Sequence, residues 1–440
     1  MDSWWKKSCF YQIYPLGFCG APKTNLCESD ETVSRIQKTV EWIPHLKQLG
    51  VDAVLFNPVA DSGSHGYDTR NFGRIDPRLG TNDDFKQVCS ALHTNGIRVV
   101  LDGVFNHVGR EFWAFSDLRK NKQSSPYKEW FNISFDGNSN YNDGFWYEGW
   151  EGHYELVKLN LRNPEVIEHI FRNVRFWVEE FGIDGLRLDV AYCLDRDFVR
   201  ALRRFCNELK PEFVLIGEVL FGDYNLIVND EMLNSCTNYE CYKGLFSSLN
   251  CNNLFELTYS LNRQFGNDAW CLYRSKQLMS FADNHDVSRL ASILEDKRKI
   301  FAAYALLFSM PGIPCIYYGS EWGAAGKKQD GDDALRPCFD APVENELFSY
   351  ISRLADIRKN SQALSLGGYR NIVEQNTFCL YERFFENEHV LCAVNISESS
   401  QTICSERLRG DAVELISGQS MNICGSLSLE PMQAEFFRLS

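Results

Sequence analysis

The stretch Ile183-Asp184-Gly185-Leu186-Arg187-Leu188-Asp189-Val190 reads as a short buried strand, with Ile183, Leu186, Leu188 and Val190 apolar. A Gly-Ile-Asp-Gly lead-in precedes it, and a helix over about 195–208 follows. Side chains alternate along a strand with a period of two, so Arg187 and Asp189 point the same way. A buried strand carrying a cation and an anion on one face has two readings. One is a structural salt bridge. The other is a catalytic carboxylate held ionised by its guanidinium neighbour. The rest of the chain decides between them.

Outward from this stretch, short apolar runs alternate with amphipathic segments. The strand candidates are 10–15, 53–56, 99–101, 185–190, 213–216, 278–281 and 314–318. The helix candidates are about 32–49, 82–95, 164–180, 195–208, 256–266, 296–309 and 344–358. One further strand and helix are weakly marked within 220–255. Such alternation predicts parallel strands, in a barrel or an open sheet. It stops between about 107 and 158, a stretch rich in Trp, Tyr, Asn, Gly and Asp, too long for an ordinary βα loop. Beyond about 366, runs such as 377–382, 389–394 and 434–439 read as an antiparallel β domain.

Polar residues collect at the strand ends. Asp102 and His107 follow one strand, and Arg187 and Asp189 close the next. Glu218 ends Val214-Leu215-Ile216-Gly217, and Asp283-Asn284-His285-Asp286 follows Met279-Ser280-Phe281. A lone Asp at a strand end is an ordinary helix cap. Four acidic strand ends with histidines beside them point instead to one rim of a parallel barrel, where active sites sit. Carboxylates with His and Arg, without a phosphate loop or metal-ligand spacing, suit glycoside hydrolysis. That reaction needs one ionised carboxylate and one protonated carboxyl. On sequence, Asp189 beside Arg187 is expected to have a depressed pKa. Glu218, with no cation adjacent in sequence, is expected to have a raised one.

Composition narrows the partners. The chain has 440 residues, a net charge of −14 and 16 cysteines. An acidic chain is a poor match for nucleic acid or an anionic membrane surface. The apolar run 300–318 is broken by Pro311, Gly312 and Pro314 and is not a membrane span. The first residues lack the apolar core of a signal peptide, and the cysteines are scattered singly. Together these features predict a cytoplasmic protein with reduced thiols.

At these residues the chain resembles the α-amylase family of glycoside hydrolases. Asp102-Gly103-Val104-Phe105-Asn106-His107 is similar to that family's first conserved block. Gly185 to Ala191 matches the second, Gly217-Glu218-Val219 the third and Phe281 to Asp286 the fourth. His65-Gly66-Tyr67-Asp68-Thr69, Ile75 to Thr81 and Gly312 to Gly319 add further matches. The resemblance implies a (β/α)8 barrel over 1–106 and 159–362, an inserted domain over 107–158, and a C-terminal antiparallel β-sandwich over 363–440. It implies retention through a covalent glycosyl-enzyme. Asp189 would be the nucleophile, Glu218 the general acid/base and Asp286 the transition-state stabiliser. Substrate contacts would come from His65, Tyr67 stacking under the sugar, His107, His285 and Arg336, with Asp102 and Arg187 in support.

Lys158-Leu159-Asn160 and the entry to the insertion are most similar to the cyclomaltodextrinase, neopullulanase and maltogenic amylase group. Cyclodextrins and short maltodextrins are therefore the expected substrates, with α-1,6 cleavage and transglycosylation as further activities of the group. Trp146, Tyr147 and Trp150 are candidates for sugar stacking. The chain also departs from the group. Strand one starts close to Met1, so the dimer built by that group's N-terminal β domain is not expected. Tyr192-Cys193 replaces an Asn-Glu pair, and Leu220-Phe221 replaces Trp-His. No cofactor is expected. The calcium loop is missing from 17–25, and Asn106 is the one calcium ligand retained. The alternatives are a glucosyl transferase or isomerase acting on sucrose or maltose, and an inactive carbohydrate-binding protein. The latter is disfavoured because all three carboxylates are present.

Overall fold

In a computed structural model, residues 3–25 and 33–440 are described. Eight parallel strands form the central sheet. They are β1 (Phe10–Ile13), β2 (Ala53–Phe56), β3 (Arg98–Gly103), β4 (Gly185–Leu188), β5 (Val214–Gly217), β6 (Ser235–Cys236), β7 (Met279–Phe281) and β8 (Ile313–Tyr317). Neighbours in space run β6-β5-β4-β3-β2-β1-β8-β7. A parallel bridge between Thr237 and Met279 brings the two edges together and nearly closes the barrel. No described helix is long and apolar enough to cross a membrane.

The alternation of side chains explains both the core and the site. Tyr11, Ile13, Val54, Phe56, Val99, Leu101, Leu186, Leu188 and Leu215 are buried in the large cluster shared with the surrounding helices. Phe10, Ala53, Leu55, Val100, Val214, Ile216, Met279 and Phe281 fill the barrel interior. Continued two residues further, the interior rows become polar. Phe10 leads to Gln12, Leu55 to Asn57, Val100 to Asp102 and Ile216 to Glu218, while Gly185 leads through Arg187 to Asp189. All of these polar side chains are buried. The period of two thus carries an apolar barrel core up into a polar floor.

The helices start at side-chain caps. Thr81 accepts from Asp84 N–H at 3.1 Å while Asp84 accepts from Thr81 N–H at 2.8 Å, opening Asn82–Thr94 with a capping box. Asn163, Asp195 and Asn345 cap Pro164–Phe176, Arg196–Leu209 and Glu346–Lys359. The expected helix 32–49 is broken. Its first residue lies outside the described residues. The remainder divides into Arg35–Gln37, Lys38–Glu41 and Ile43–Leu49, with Pro44 entering at a helix start, where its missing N–H costs nothing. The weakly marked pair within 220–255 is β6, two residues long, with the helix Tyr239–Asn250. Between β5 and β6 the chain makes only a short 3-10 turn, Tyr224–Leu226.

Residues 107–158 leave the barrel and return on themselves. His107–Gly109 pairs antiparallel with His153–Lys158, which also pairs with Gly149–Trp150. At the other end, six antiparallel strands follow the barrel: Gly368–Glu374, Phe378–Phe385, Glu388–Asn395, Gln401–Glu414, Ser420–Leu429 and Ala434–Leu439. Alternate residues again divide the labour. Tyr381, Val390, Cys392 and Phe436 pack with the barrel. Leu380, Leu391, Ile403, Leu427 and Phe437 enclose a separate core.

Candidate active site

Adjacent strands set the two central carboxyls side by side. Leu188 pairs with Gly217, and Asp189 and Glu218 are the next residues of β4 and β5. Their amides remain tied to the sheet: Asp189 N–H donates to Gly103 O at 3.2 Å, and Glu218 N–H to Leu188 O at 2.9 Å. Below them lies one guanidinium. Arg187 Nη1 donates to Asp102 Oδ1 and Oδ2 at 2.8 and 2.7 Å and to Asp189 Oδ1 at 3.0 Å. Arg187 Nη2 lies 3.0 Å from Glu218 Oε2. One buried cation therefore serves three buried carboxyl groups.

The Asp189 pKa moves opposite to the expected direction. Burial raises its pKa, and Glu218, Asp102 and Asp286 raise it further, outweighing Arg187. Glu218 moves up as expected, first by burial and then by Asp286 and Asp102. Asp102 is also raised by burial, which Arg187, Asn57 and Tyr67 only partly offset. Burial works against the Arg187 charge, but Asp102 and Glu218 drive its pKa up, so the cation is permanent. With one cation among three carboxyls, burial and mutual repulsion favour the protonated forms of Asp189 and Glu218.

Asp286 faces this cluster across the cavity and is the carboxyl held low. Burial opposes its charge, and the contact with His285 Nε2 together with the Arg336 and Arg187 guanidiniums overcomes that. Its Oδ1 accepts from Arg336 Nη2 at 3.0 Å, and its Oδ2 lies 3.0 Å from His285 Nε2. Arg336 also reaches Asp332 at 3.1 Å and lies over the Tyr14 ring. Its guanidinium thus lines the cavity while positioning Asp286.

The histidines are neutral donors. Burial lowers both His107 and His285 to about 3. Gln12 Nε2 donates to His285 Nδ1 at 3.0 Å, which leaves the His285 proton on Nε2. From there it faces Tyr67 OH at 2.5 Å. Tyr67 OH in turn donates to Asp102 Oδ2 at 3.1 Å, and its ring stacks on His285 at 5.7 Å. Asn106 Nδ2 donates to His107 Nδ1 at 3.1 Å. His107 Nε2, 3.9 Å from Asp189 Oδ2, has no hydrogen-bond partner among the described residues and is aimed at that carboxyl.

The hairpin carrying His65 and Tyr67 is anchored by the Asp76-Pro77-Arg78 segment. Arg78 is buried and bonds Asp76, Ser62 Oγ and the carbonyls of Pro22, Lys23 and Ser64. His65 is more open, receiving Tyr67 N–H on Nδ1 at 3.3 Å.

These groups border a cavity of about 550 Å³. His65, Tyr67, His107, Asp189, Glu218, Asp286 and Arg336 all line it. Asp102, Arg187 and His285 lie one layer beneath. Of the three aromatic candidates in the insertion, Trp150 lines the cavity. Trp146 borders a different crevice. Tyr147 is buried, with its OH donating to Tyr154 O at 2.7 Å, and serves packing. Asp283, at another acidic strand end, is spent on Leu290 N–H and Ser320 Oγ at 2.7 Å each and has a structural role. Asn57, Gln12 and the Tyr239 wall of the cavity are not marked by the sequence, whereas Tyr192, singled out there as a departure from the group, does line the cavity. Asn57 Nδ2 donates to Tyr67 OH and Asp102 Oδ2 at 3.0 and 3.1 Å. A polar residue directly after an apolar strand was the available signal for it.

Asn106 Oδ1 is buried without a partner. Among the described residues no three His, Cys, Asp or Glu side chains gather as metal ligands. All fifteen described cysteines are free.

The α-amylase catalytic-domain profile matches residues 12–338. The chain is 30% identical to a cyclomaltodextrinase from Bacillus sp., over 91% of this chain and 75% of that one. It is 29% identical to the intracellular maltogenic amylase of Bacillus subtilis strain 168, over 98% and 74% of the two chains. The solved structure of the Nostoc punctiforme debranching enzyme superposes with a TM-score of 0.83 at 28% identity, covering 99% of each chain. With a family match spanning the barrel and the carboxyl cluster at its rim, the chain belongs to the α-amylase family of glycosidases.

Proposed function

We propose that this protein hydrolyses α-1,4-glucosidic bonds of cyclodextrins and short maltodextrins with retention of configuration. The observation that carries the reading is the Arg187 guanidinium bridging Asp102, Asp189 and Glu218, with Asp286 across the cavity. In this reading a glucose unit sits over Tyr67. Glu218 carries a proton and delivers it to the glycosidic oxygen as Asp189 attacks the anomeric carbon. Glu218 then takes a proton from a water whose oxygen bonds to the anomeric carbon as the bond to Asp189 breaks, which releases the sugar and restores the Asp189 carboxylate. Asp286, held ionised, accepts from the sugar hydroxyls, and the free His107 Nε2–H donates to one. His285 Nε2–H orients Tyr67 and Asp286.

The names of the relatives support the substrate class, and the carboxyl chemistry needs no metal. Activity that survives dialysis against EDTA is expected; loss restored by calcium, with Asn106 as a ligand, would overturn that part. The reading is tested by the product profile on β-cyclodextrin, maltotriose, starch and sucrose, with Asp189→Asn as blank. Ring opening to maltose and glucose is expected. Turnover of sucrose alone, or isomerised maltose, would replace the hydrolase by a transferase. Binding without turnover would make the protein a carbohydrate-binding relative.

A further inference from the structure

Arg289 follows Asp286 on the loop after β7 and is fully buried. Among the described residues its guanidinium makes no ion pair. It donates instead to three neutral oxygens. Nη1 reaches Tyr318 O at 2.6 Å and Ser320 Oγ at 3.1 Å, and Nη2 reaches Leu335 O at 2.8 Å. The Tyr317 ring, at the end of β8, covers it at 4.0 Å. A buried cation without a carboxylate is costly, so its acceptors call for an explanation.

The two segments that Arg289 ties together each supply a group to the catalytic cavity. Its own backbone belongs to the loop carrying His285 and Asp286, which Asp283 closes by accepting from Leu290 N–H at 2.7 Å. Its acceptor Leu335 O lies on the segment carrying Arg336, and also accepts from Tyr317 OH at 3.1 Å. On the other flank, Pro337 O accepts from Tyr318 OH at 2.8 Å. Arg336 is thus pinned on both sides. Its side chain returns to the first loop, where Nε donates to His285 O at 3.1 Å and Nη2 to Asp286 Oδ1 at 3.0 Å. The path from Asp286 along the chain to Arg289, through Leu335 O to Arg336 and back to Asp286, is a closed circuit.

We infer that Arg289 is a positioning residue: by fixing Leu335 O it sets the Arg336 guanidinium on Asp286. The inference rests on the function proposed above, in which Asp286 meets the sugar hydroxyls. Arg289 itself does not line the cavity. Its planar fork holds acceptors on both segments at once, in directions that an ammonium cannot copy. Burial keeps bulk water from taking its place.

The test is a double-mutant cycle on β-cyclodextrin with Arg289→Met and Arg336→Ala, and with Arg289→Lys beside them. Arg289→Met alone is expected to lower kcat/KM about tenfold. In the Arg336→Ala background the same change is expected to cost less than about twofold, because the group it positions is gone. Arg289→Lys keeps the cation without the fork and is expected to stay at least about threefold below the parent. It completes the cycle if the methionine chain does not fold. A loss that persists in full in the Arg336→Ala background, the mark of a general structural role, would overturn the inference. So would activity within about twofold of the parent in either Arg289 variant. In both cases the parent still opens the ring and the hydrolase reading stands. A parent inert on every α-glucan would overturn that reading, and the positioning role with it.

Discussion

The backbone N–H of Val190 donates to Glu218 Oε2 at 3.0 Å, and Val190 makes this bond from φ 39° and ψ 47°. A β-branched residue in the left-handed region is strained by about 1–3 kcal/mol. The strain turns the residue after Asp189 so that its amide fixes the neighbouring carboxyl. Val190→Gly retains the N–H and removes the strain, at the loss of a buried side chain worth about 1.5–3 kcal/mol. The two effects nearly cancel. We expect the urea midpoint to move little and kcat to stay within about threefold of the parent, a spread corresponding to less than 1 kcal/mol. A collapse of either would show that the side chain, not the amide, is what the position supplies.

Among the described residues, Arg187 is the one cation beneath Asp102, Asp189 and Glu218. Removing it leaves the buried carboxyls without a compensating cation, which costs about 3–5 kcal/mol. Arg187→Gln is expected to lower stability by that amount, read by urea unfolding, and to abolish detectable turnover. Arg187→Lys is expected to restore little, because an ammonium cannot bridge three carboxyls as a planar fork does. Full activity in the lysine variant would argue that only the charge matters.

The raised carboxyls set the pH profile. In the proposed mechanism the active form holds one proton, on Glu218, with Asp189 ionised. Acid removes that form by protonating Asp189, and alkali by deprotonating Glu218. Because burial pushes both upward, the bell in kcat/KM should lie wholly above the ordinary carboxylate range of about 4. With α-glucosyl fluoride, whose leaving group needs no acid, Glu218→Gln should keep the acid limb and lose the alkaline one. An alkaline limb that persists would assign it to another group.

His107 and His285 link folding to acid. Their pKa values of about 3 in the fold lie below the ordinary value of about 6.5. Between these limits the unfolded chain binds protons that the native protein does not. Each histidine therefore withdraws stability as pH falls through that window, at about 1.4 kcal/mol per pH unit. The raised carboxyls act in the opposite sense, so the difference between parent and variant isolates one group. His107→Asn should flatten the decline of unfolding free energy between about pH 6 and 4 by that slope. An unchanged slope would place a charged His107 in the native site.

Much of this site was legible because barrel strands alternate and end at one rim. Asp102, Arg187, Asp189 and Glu218 each extend an interior row, so a strand boundary and a period of two suffice to gather them. What escaped depended on neighbours across the sheet. The sequence shows Arg187 two residues from Asp189. It does not show how deeply Asp189 is buried, nor that Glu218 and Asp102 crowd it from the flanking strands; burial first and these carboxyls second raise its pKa against the pull of Arg187. Strand β6 was weakly marked because two residues, Ser235 and Cys236, are too short to display a period. Tyr147 looked available for stacking until its OH was found spent on Tyr154 O inside the inserted sheet.

In the proposed mechanism Asp189 forms a covalent bond to the sugar. Rapid denaturation after reaction with a 5-fluoro-α-glucosyl fluoride, followed by mass spectrometry of the digested protein, tests it directly. The account predicts one added fluoroglucosyl group, on the peptide carrying Asp189, and no adduct in Asp189→Asn. A product released with inverted configuration and no adduct, or an adduct on Glu218 or Asp286, would contradict it.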